Sequence, residues 1–311
     1  MIVVGGEALI DLVPVAHPPG ALLPRPGGGP YNTALALGRL GADVSFCSRV
    51  STDGFGESLM SGLRAAGVDL SLVQRGPEPT TLAVPSLAPD GSASYGFYVE
   101  GTADRLFTLP PALPEGARAL ALGTCSLVLE PGASAYEALL RRESRRGLPT
   151  LLDPNIRPAL IPDPAAHRAR FLTRLLPHTG VLKLSEEDAA WLGGRVGDWL
   201  AAGPSAVVLT RGAAGLTVWT REGAEHSVPA RRIAVADTIG AGDTVNAALL
   251  HRLSAAPPGE PVDWPDVLAY AAHAAALTCT RAGAEPPYAS ELSGWPPRPS
   301  GPRRGRTPRP A

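Results

Sequence analysis

Short apolar runs alternate with longer Ala- and Leu-rich stretches along most of this 311-residue chain, and the alternation narrows what it can fold into. Residues 2–4, 44–47, 119–123, 150–152, 181–184, 206–210 and 216–219 form apolar blocks too short for helices, so they read as buried strands. Between them, 31–40, 56–66, 133–146, 186–192, 242–253 and 267–280 carry helical patterns. Strand–helix alternation of this kind predicts an α/β fold, a mostly parallel sheet flanked by helices. Such a sheet binds its ligand outside the carboxyl ends of its strands, so chemistry is expected in the loops that follow them. A hydrophobic content of 44% is enough for a core of that size.

One region breaks the alternation. Residues 80–107 hold two segments of β character around Pro89-Asp90-Gly91, which predicts a hairpin. With residues 12–25 it is expected to form a small sheet projecting from the main domain as a lid, or as a surface for a second copy. The main domain is expected to span 1–292. Residues 293–311 are rich in Pro and carry Arg298, Arg303, Arg304, Arg306 and Arg309 with almost no apolar residues, so a disordered tail is expected there.

A net charge of −1 gives no electrostatic reason to expect nucleic acid as a partner. No apolar run approaches the ~20 residues that span a bilayer, and the first residues read as a core strand rather than a signal peptide. Cys47, Cys125 and Cys279 lack metal-ligand spacing and lie in apolar runs, which predicts buried thiols in a reducing, cytoplasmic setting.

The segment Asp237-Thr238-Ile239-Gly240-Ala241-Gly242-Asp243-Thr244 reads as a strand end, a small-residue turn and a helix start. Backbone N–H groups at a helix mouth lack internal partners and carry partial positive charge, a setting suited to phosphate. Asp243 beside them is placed to accept a proton from a hydroxyl, and the simpler alternative is a helix cap. Gly27-Gly28-Gly29-Pro30-Tyr31-Asn32 opens another helix, where glycines admit a close ligand and Asn32 offers a donor and an acceptor. Asp11, expected just after the first strand, is suited to binding vicinal hydroxyls, or serves a turn.

Together these residues resemble the ribokinase-type (PfkB) carbohydrate kinase family over nearly all of 1–292. Two motifs carry the resemblance. One is the glycine-rich helix from Gly27 to Gly38, continuing through Gly41-Ala42-Asp43-Val44 to Val50-Ser51-Thr52-Asp53-Gly54-Phe55-Gly56, and the other is Asp237–Asp243. The resemblance implies a ribokinase-like, Rossmann-like sheet with a β lid and ATP-dependent phosphorylation of a sugar hydroxyl. It implies that Gly240, Ala241, Gly242 and Asp243 form an anion hole with Asp243 as general base. Asp11, Gly28, Gly29 and Asn32 match sugar-binding positions, and Arg157 in Asp153-Pro154-Asn155-Ile156-Arg157 matches a residue facing phosphate or sugar oxygens.

Lys183, Ser185 and Asp188 fall on the strand and following Asn-x-x-Glu motif tied to phosphate and magnesium, with Ser185 in place of Asn and Asp188 in place of Glu. An acidic helix start also explains Asp188 through the helix dipole. Thr210, Gly212 and Gly215 match the nucleotide-contacting turn, His273 a position near adenine, and Gly283 the last turn of the nucleotide site. The implied cofactors are ATP and Mg2+, with a monovalent cation such as K+ admitted near Asp237.

The segment 92–105 is most similar to that of bacterial fructokinases. The related 2-keto-3-deoxygluconate kinases place an arginine where Val99 stands, leaving Arg105 and Arg157 as the cations for an acid sugar. The expected activity is therefore fructose phosphorylation. Alternatives are 2-keto-3-deoxygluconate kinase, ribokinase, nucleoside kinase, or a catalytically inactive sugar-binding homologue.

Overall fold

The computed structural model describes residues 1–293 apart from 16, 19, 88–92 and 258–259. The expected Pro89-Asp90-Gly91 turn and all but Ser293 of the expected tail lie outside the described residues. In chain order the elements are β1 (Ile2–Gly5), β2 (Leu9–Pro14), β3 (Leu22–Gly27), α1 (Gly29–Arg39), β4 (Val44–Ser51), α2 (Gly54–Ala65), β5 (Val73–Gly76), β6 (Leu82–Leu87), β7 (Ala93–Tyr98) and β8 (Ala119–Gly123). There follow α3 (Gly132–Arg145), β9 (Thr150–Asp153), α4 (Pro164–Arg170), β10 (Val181–Ser185), α5 (Glu186–Leu192), α6 (Val196–Ala202), β11 (Ala206–Thr210), β12 (Leu216–Thr220), β13 (Glu225–Val228), α7 (Ala241–Ser254) and α8 (Trp264–Cys279).

Among the described residues, nine strands form one sheet in the order β13-β12-β11-β10-β9-β8-β1-β4-β5. From β11 to β5 every neighbour is parallel, whereas β12 and β13 join antiparallel. The run 216–219 is thus a strand, but one of a hairpin at the sheet edge. Successive side chains of a strand point to opposite faces. Val4 and Ala121 accordingly pack with helices α1, α2, α7 and α8, while Val3 and Leu122 pack with α3 and the residues around Phe171 and Trp199. Both faces are covered, which is why the central strands β1, β8 and β11 are largely apolar.

A second sheet has the order β3-β2-β6-β7. Asp53 anchors its root: its carboxylate caps α2 by accepting from the Gly56 N–H at 2.7 Å and also accepts from the Thr80 N–H at 2.8 Å. Alternate residues Leu9, Asp11 and Val13 of β2 face one cleft, joined by Ala83 of β6 and Phe97 of β7. Asp11 therefore lies within β2, the next element, rather than in the loop after the first strand. The segment before Gly240 also differs from expectation. β13 ends at Val228, and the chain reaches α7 as an irregular strap tied by Ala236 N–H to the Cys279 carbonyl at 2.8 Å.

Candidate active site

The loops at the carboxyl ends of β1, β8, β9, β10 and β11 converge with the small sheet on a cleft of about 590 Å³. Asp243 sits in its floor at the third position of α7 and is 8% exposed. Asn32, on the first turn of α1, donates from Nδ2 to Asp243 Oδ2 at 2.8 Å, joining residues 211 apart in sequence. Burial is the main reason the Asp243 carboxyl is pushed up to about 6, and Asp153 adds to it. The Asn32 hydrogen bond, Lys183 and Arg157 act the other way. A base in that range is poised between holding and releasing a proton near neutral pH.

Gly240 precedes α7 with φ of 75°, a left-handed conformation that favours glycine. A Cβ there would also come within 2.7 Å of the Ala284 Cβ. The first turn of α7 leaves the N–H groups of Gly242 and Asp243 without helical partners. The Ala241 N–H instead donates to the Thr238 carbonyl at 3.2 Å, closing the turn. Of the four residues expected to form an anion hole, Gly240 and Ala241 shape the turn, while Gly242 and Asp243 stand in the first turn of α7 with N–H groups that lack helical partners.

Lys183 Nζ would lie 3.1 Å from a Cβ on Gly242. It is buried and paired with Asp153 at 2.8 Å. Burial works against its charge, but Asp153, reinforced by Asp243 and Asp188, holds the ammonium above its ordinary range. Asn246 donates to the same Asp153 oxygen at 2.7 Å, so the pair is hydrogen-bonded as well as charged.

At the other end of the cleft, Asp11 reaches so close to Gly27 that any side chain there would clash with its Oδ2. Burial pushes Asp11 up to about 6, with Arg157 pulling down. Gly28, Gly29, Asn32 and Arg157 line this cleft, as do Ser185, Thr210 and Gly212. Arg157 also donates to Asn155 Oδ1 at 2.6 Å. Asn155 and Thr124 have φ of 35° and 61°, unusual for residues with side chains and confined here to the cleft wall.

Three expected positions sit elsewhere. Arg105 is not among the residues lining the cleft. It donates to the Glu130 carbonyl at 2.7 Å and pairs with Glu100 at 2.7 Å. His273 is absent from both main clefts, although its neighbours Ala272, Ala275 and Ala276 line the second. Gly283 donates to Asp237 Oδ2 at 2.8 Å and lines a side cavity of about 280 Å³.

Asp188 does line the main cleft, but its oxygens serve the fold. Oδ2 accepts from the Ser185 N–H and hydroxyl in a capping box, and Oδ1 accepts from the Ile156 N–H at 2.7 Å. Among the described residues no group of three or more His, Cys, Asp or Glu is placed to hold a metal. The Asp188 oxygens are thus already engaged with Ser185 and Ile156, and these side chains do not make a complete magnesium site without phosphate and water ligands.

Glu7 is a site residue the motifs do not flag. Its carboxylate accepts from the Thr124 and Ser126 hydroxyls and from the Ser126 N–H at 3.1 Å, fixing the turn that holds the strained Thr124. Burial pushes it up to about 7, against the pull of the Ser126 hydrogen bond. The signal in the sequence is an acid directly after a buried strand, at the sheet edge where ligands bind.

A second cleft of about 570 Å³ opens between β12, the strap and α8. Its walls are mainly small and apolar, including Val235, Val245, Ala272, Ala276 and the expected Gly215. Cys279 lines it and is partly exposed, unlike the buried Cys47 and Cys125. The two clefts share Thr210, Gly212, Thr238 and Gly242, so they meet at the mouth of α7.

The pattern of the pfkB family of carbohydrate kinases matches residues 1–291. A fructokinase of Rhizobium leguminosarum bv. trifolii is 40% identical over 263 residues, covering 81% of this chain and 79% of that protein. One from Klebsiella pneumoniae is 36% identical over 262 residues, covering 80% and 83%. The crystal structure of a Xylella fastidiosa fructokinase with bound ATP superposes with a TM-score of 0.84 at 28% identity, covering 94% of this chain and 96% of that one. A Vibrio cholerae fructokinase structure holding fructose, ADP and a calcium ion gives 0.79 at 29%, covering 91% and 94%.

Proposed function

The chain belongs to the pfkB family of carbohydrate kinases, and from that premise we propose that it transfers the γ-phosphate of ATP to a hydroxymethyl group of fructose. It is an ATP-dependent phosphotransferase acting on a sugar hydroxyl. The observation that carries the reading is the meeting of the two clefts at the mouth of α7, with a buried carboxylate on the floor of one. The first cleft takes the sugar and the second the nucleotide, which brings the γ-phosphorus to the first turn of α7.

In this mechanism Asp243 takes the proton of the attacking hydroxyl as the oxygen bonds to phosphorus and the bond to ADP breaks. The N–H groups of Gly242 and Asp243 and the Lys183 ammonium meet the charge on the phosphoryl oxygens. Asp11, Asn32 and the backbone of Gly28 and Gly29 orient the sugar, and the Arg157 charge acts on both Asp11 and Asp243. Thr210, Gly212 and Gly215 cradle the nucleotide against the apolar wall. A divalent cation, when bound, neutralises the ATP phosphates. A K+ ion is admitted beside Asp237, whose carboxylate already accepts from the Ile239 N–H at 3.0 Å.

A neutral ketose is favoured over an acid sugar because the first cleft is lined by Glu7, Asp11 and Asp243. Val99 is packed with Cys125 and Leu129, and Arg105 is engaged with Glu100. An inactive sugar-binding homologue is disfavoured because Asp243 keeps the surroundings of a working base. The small sheet serves as the lid and joins two copies in a homodimer through its outer face, where Leu22 is 41% and Tyr98 66% exposed. Among the described residues no helix is long and apolar enough to cross a membrane. ATP as donor and free cysteines fit the cytoplasm.

The test is turnover of fructose, ribose, 2-keto-3-deoxygluconate and adenosine with Mg-ATP. Fructose is expected to give the highest kcat/KM. A higher value for any other acceptor overturns the substrate, and no turnover of any of them favours the binding protein.

A further inference from the structure

A much smaller cavity, of about 20 Å³, touches Asp243 between β1, β8, β9 and the first turns of α1 and α7. Every residue lining it is buried except Gly29, which is half-buried and lines the sugar cleft as well. Its wall is mixed. Val4, Ala121 and Leu151 are apolar, whereas Asp153, Asp243 and Asn246 are not.

Asn246 is 4% exposed and follows Asp243 by one helical turn. Its Nδ2 donates to Asp153, and its Oδ1 has no hydrogen-bond partner. A buried amide oxygen left in that state costs the folded protein the hydration it gave up. A cavity of roughly 10–15 Å³ or more on this measure holds one water where two to four polar groups are within reach.

We propose that this cavity binds one ordered water that donates to Asn246 Oδ1 and to the Asp243 carboxylate, and that this water positions Asp243 for catalysis. Asp243 Oδ2 already takes the Asn32 amide, which leaves Oδ1 as the less engaged oxygen. Oδ1 would lie 3.3 Å from a Cβ on Gly29, the residue common to both cavities. Four groups face Asp243: Asp153 opposes its charge, while Lys183, Arg157 and the Asn32 amide favour it. The water is a further donor, and donors to a buried carboxylate favour its ionised form. It also explains why β8 reads Ala-Leu-Ala-Leu, small on this face and large on the other: Ala121 leaves the space that the water fills.

The positioning role rests on Asp243 as base, but occupancy of the site does not. A crystal structure of the ligand-free wild-type protein at about 1.5 Å tests occupancy directly. A peak within about 2.6–3.2 Å of Asn246 Oδ1 is expected. No peak there overturns the site, as does a peak that anomalous scattering after a rubidium soak identifies as a monovalent cation.

The role is tested with Ala121→Val, which fills the cavity and removes no polar group. At pH 6 its kcat/KM is expected to fall about threefold to tenfold, and at pH 8 to stay within about twofold, as the acid limb moves up. A folded variant that has lost the water yet keeps the wild-type pH profile overturns the role. Turnover surviving in Asp243→Asn would instead defeat the base while leaving the water peak in place.

Discussion

The cleft proposed for the sugar and the cleft proposed for the nucleotide are of similar size, about 590 and 570 Å³, and are held in shape by different means. The first is walled by buried carboxylates, of which Glu7 and Asp243 hydrogen-bond to partners far away in sequence. It is also walled by two residues at positive φ, Thr124 tied to Glu7 and Asn155 tied to its neighbours Asp153 and Arg157. The second is walled mainly by small and apolar residues, with Thr210, Thr238, Arg231 and Arg232 among them. A sugar presents several hydroxyls of which one reacts, so its site needs fixed donors and acceptors. A planar base needs room and an apolar face, which small side chains supply. Selectivity is therefore expected to be concentrated in the first cleft, and substitutions there to act on chemistry or sugar affinity alone.

Asp243→Asn should break the sugar side most severely. It keeps the shape and removes the base, so kcat is expected to fall about 10³-fold with sugar affinity little changed. A coupled ADP assay beside calorimetric fructose binding measures both. Next in size, Glu7→Gln removes an acceptor from the Thr124–Ser126 turn. The KM for sugar is expected to rise about tenfold while that for ATP stays within twofold. A parallel rise in both would mean that the two clefts are not independent.

Ala276→Leu makes the reciprocal test by narrowing the nucleotide cleft. The KM for ATP should rise about fivefold with the sugar KM unchanged. The smallest effect concerns stability. Glu7 is pushed from an ordinary 4.5 up to about 7, and Asp11 and Asp243 from 3.8 up to about 6, so each binds its proton more tightly folded than unfolded. Their contribution is therefore lost as pH rises through that window and is level above about 7. Asp53, Asp69 and Asp237 are held below their ordinary 3.8, so their opposite effect is confined to more acid solution. Burial holds His167, His178, His251 and His273 below their ordinary 6.5, which adds an opposite rise in the same window. The acid contribution is therefore read as a difference: the urea midpoint of ligand-free wild type minus that of Glu7→Gln should decline between about pH 5 and 7.

The features legible in the sequence are those with local causes. Most of the parallel strands are legible because burial on both faces favours apolar runs, whereas β5, parallel to β4 at the sheet edge, is not, since it is only half-buried and carries Gln74 and Arg75. The turn before α7 was readable because a left-handed residue favours glycine, and Gly240 is one. By contrast, β13 was missed because an edge strand such as Glu225–Val228 is half-exposed and carries polar residues. The segment before Gly240 looked like a strand end because its composition is apolar, yet it crosses to Cys279 instead of joining a sheet. Asp188 matched a motif position, but its two oxygens are taken up by Ser185 and by Ile156, and the second partner lies 32 residues away.

What the sequence determined by itself is therefore the menu of elements, the two glycine-rich turns and the residue types able to carry phosphoryl transfer, since periodicity and backbone conformation depend on near neighbours. The tertiary structure decided which acids are buried, what each accepts from, and hence which is suited to the proposed role of base and which serves as a cap. Glu7 and Thr124, or Asn32 and Asp243, meet only when β1, β8, α1 and α7 are packed together. Burial and partners brought from afar set the ionisation of a carboxylate, and neither is written in its flanking residues.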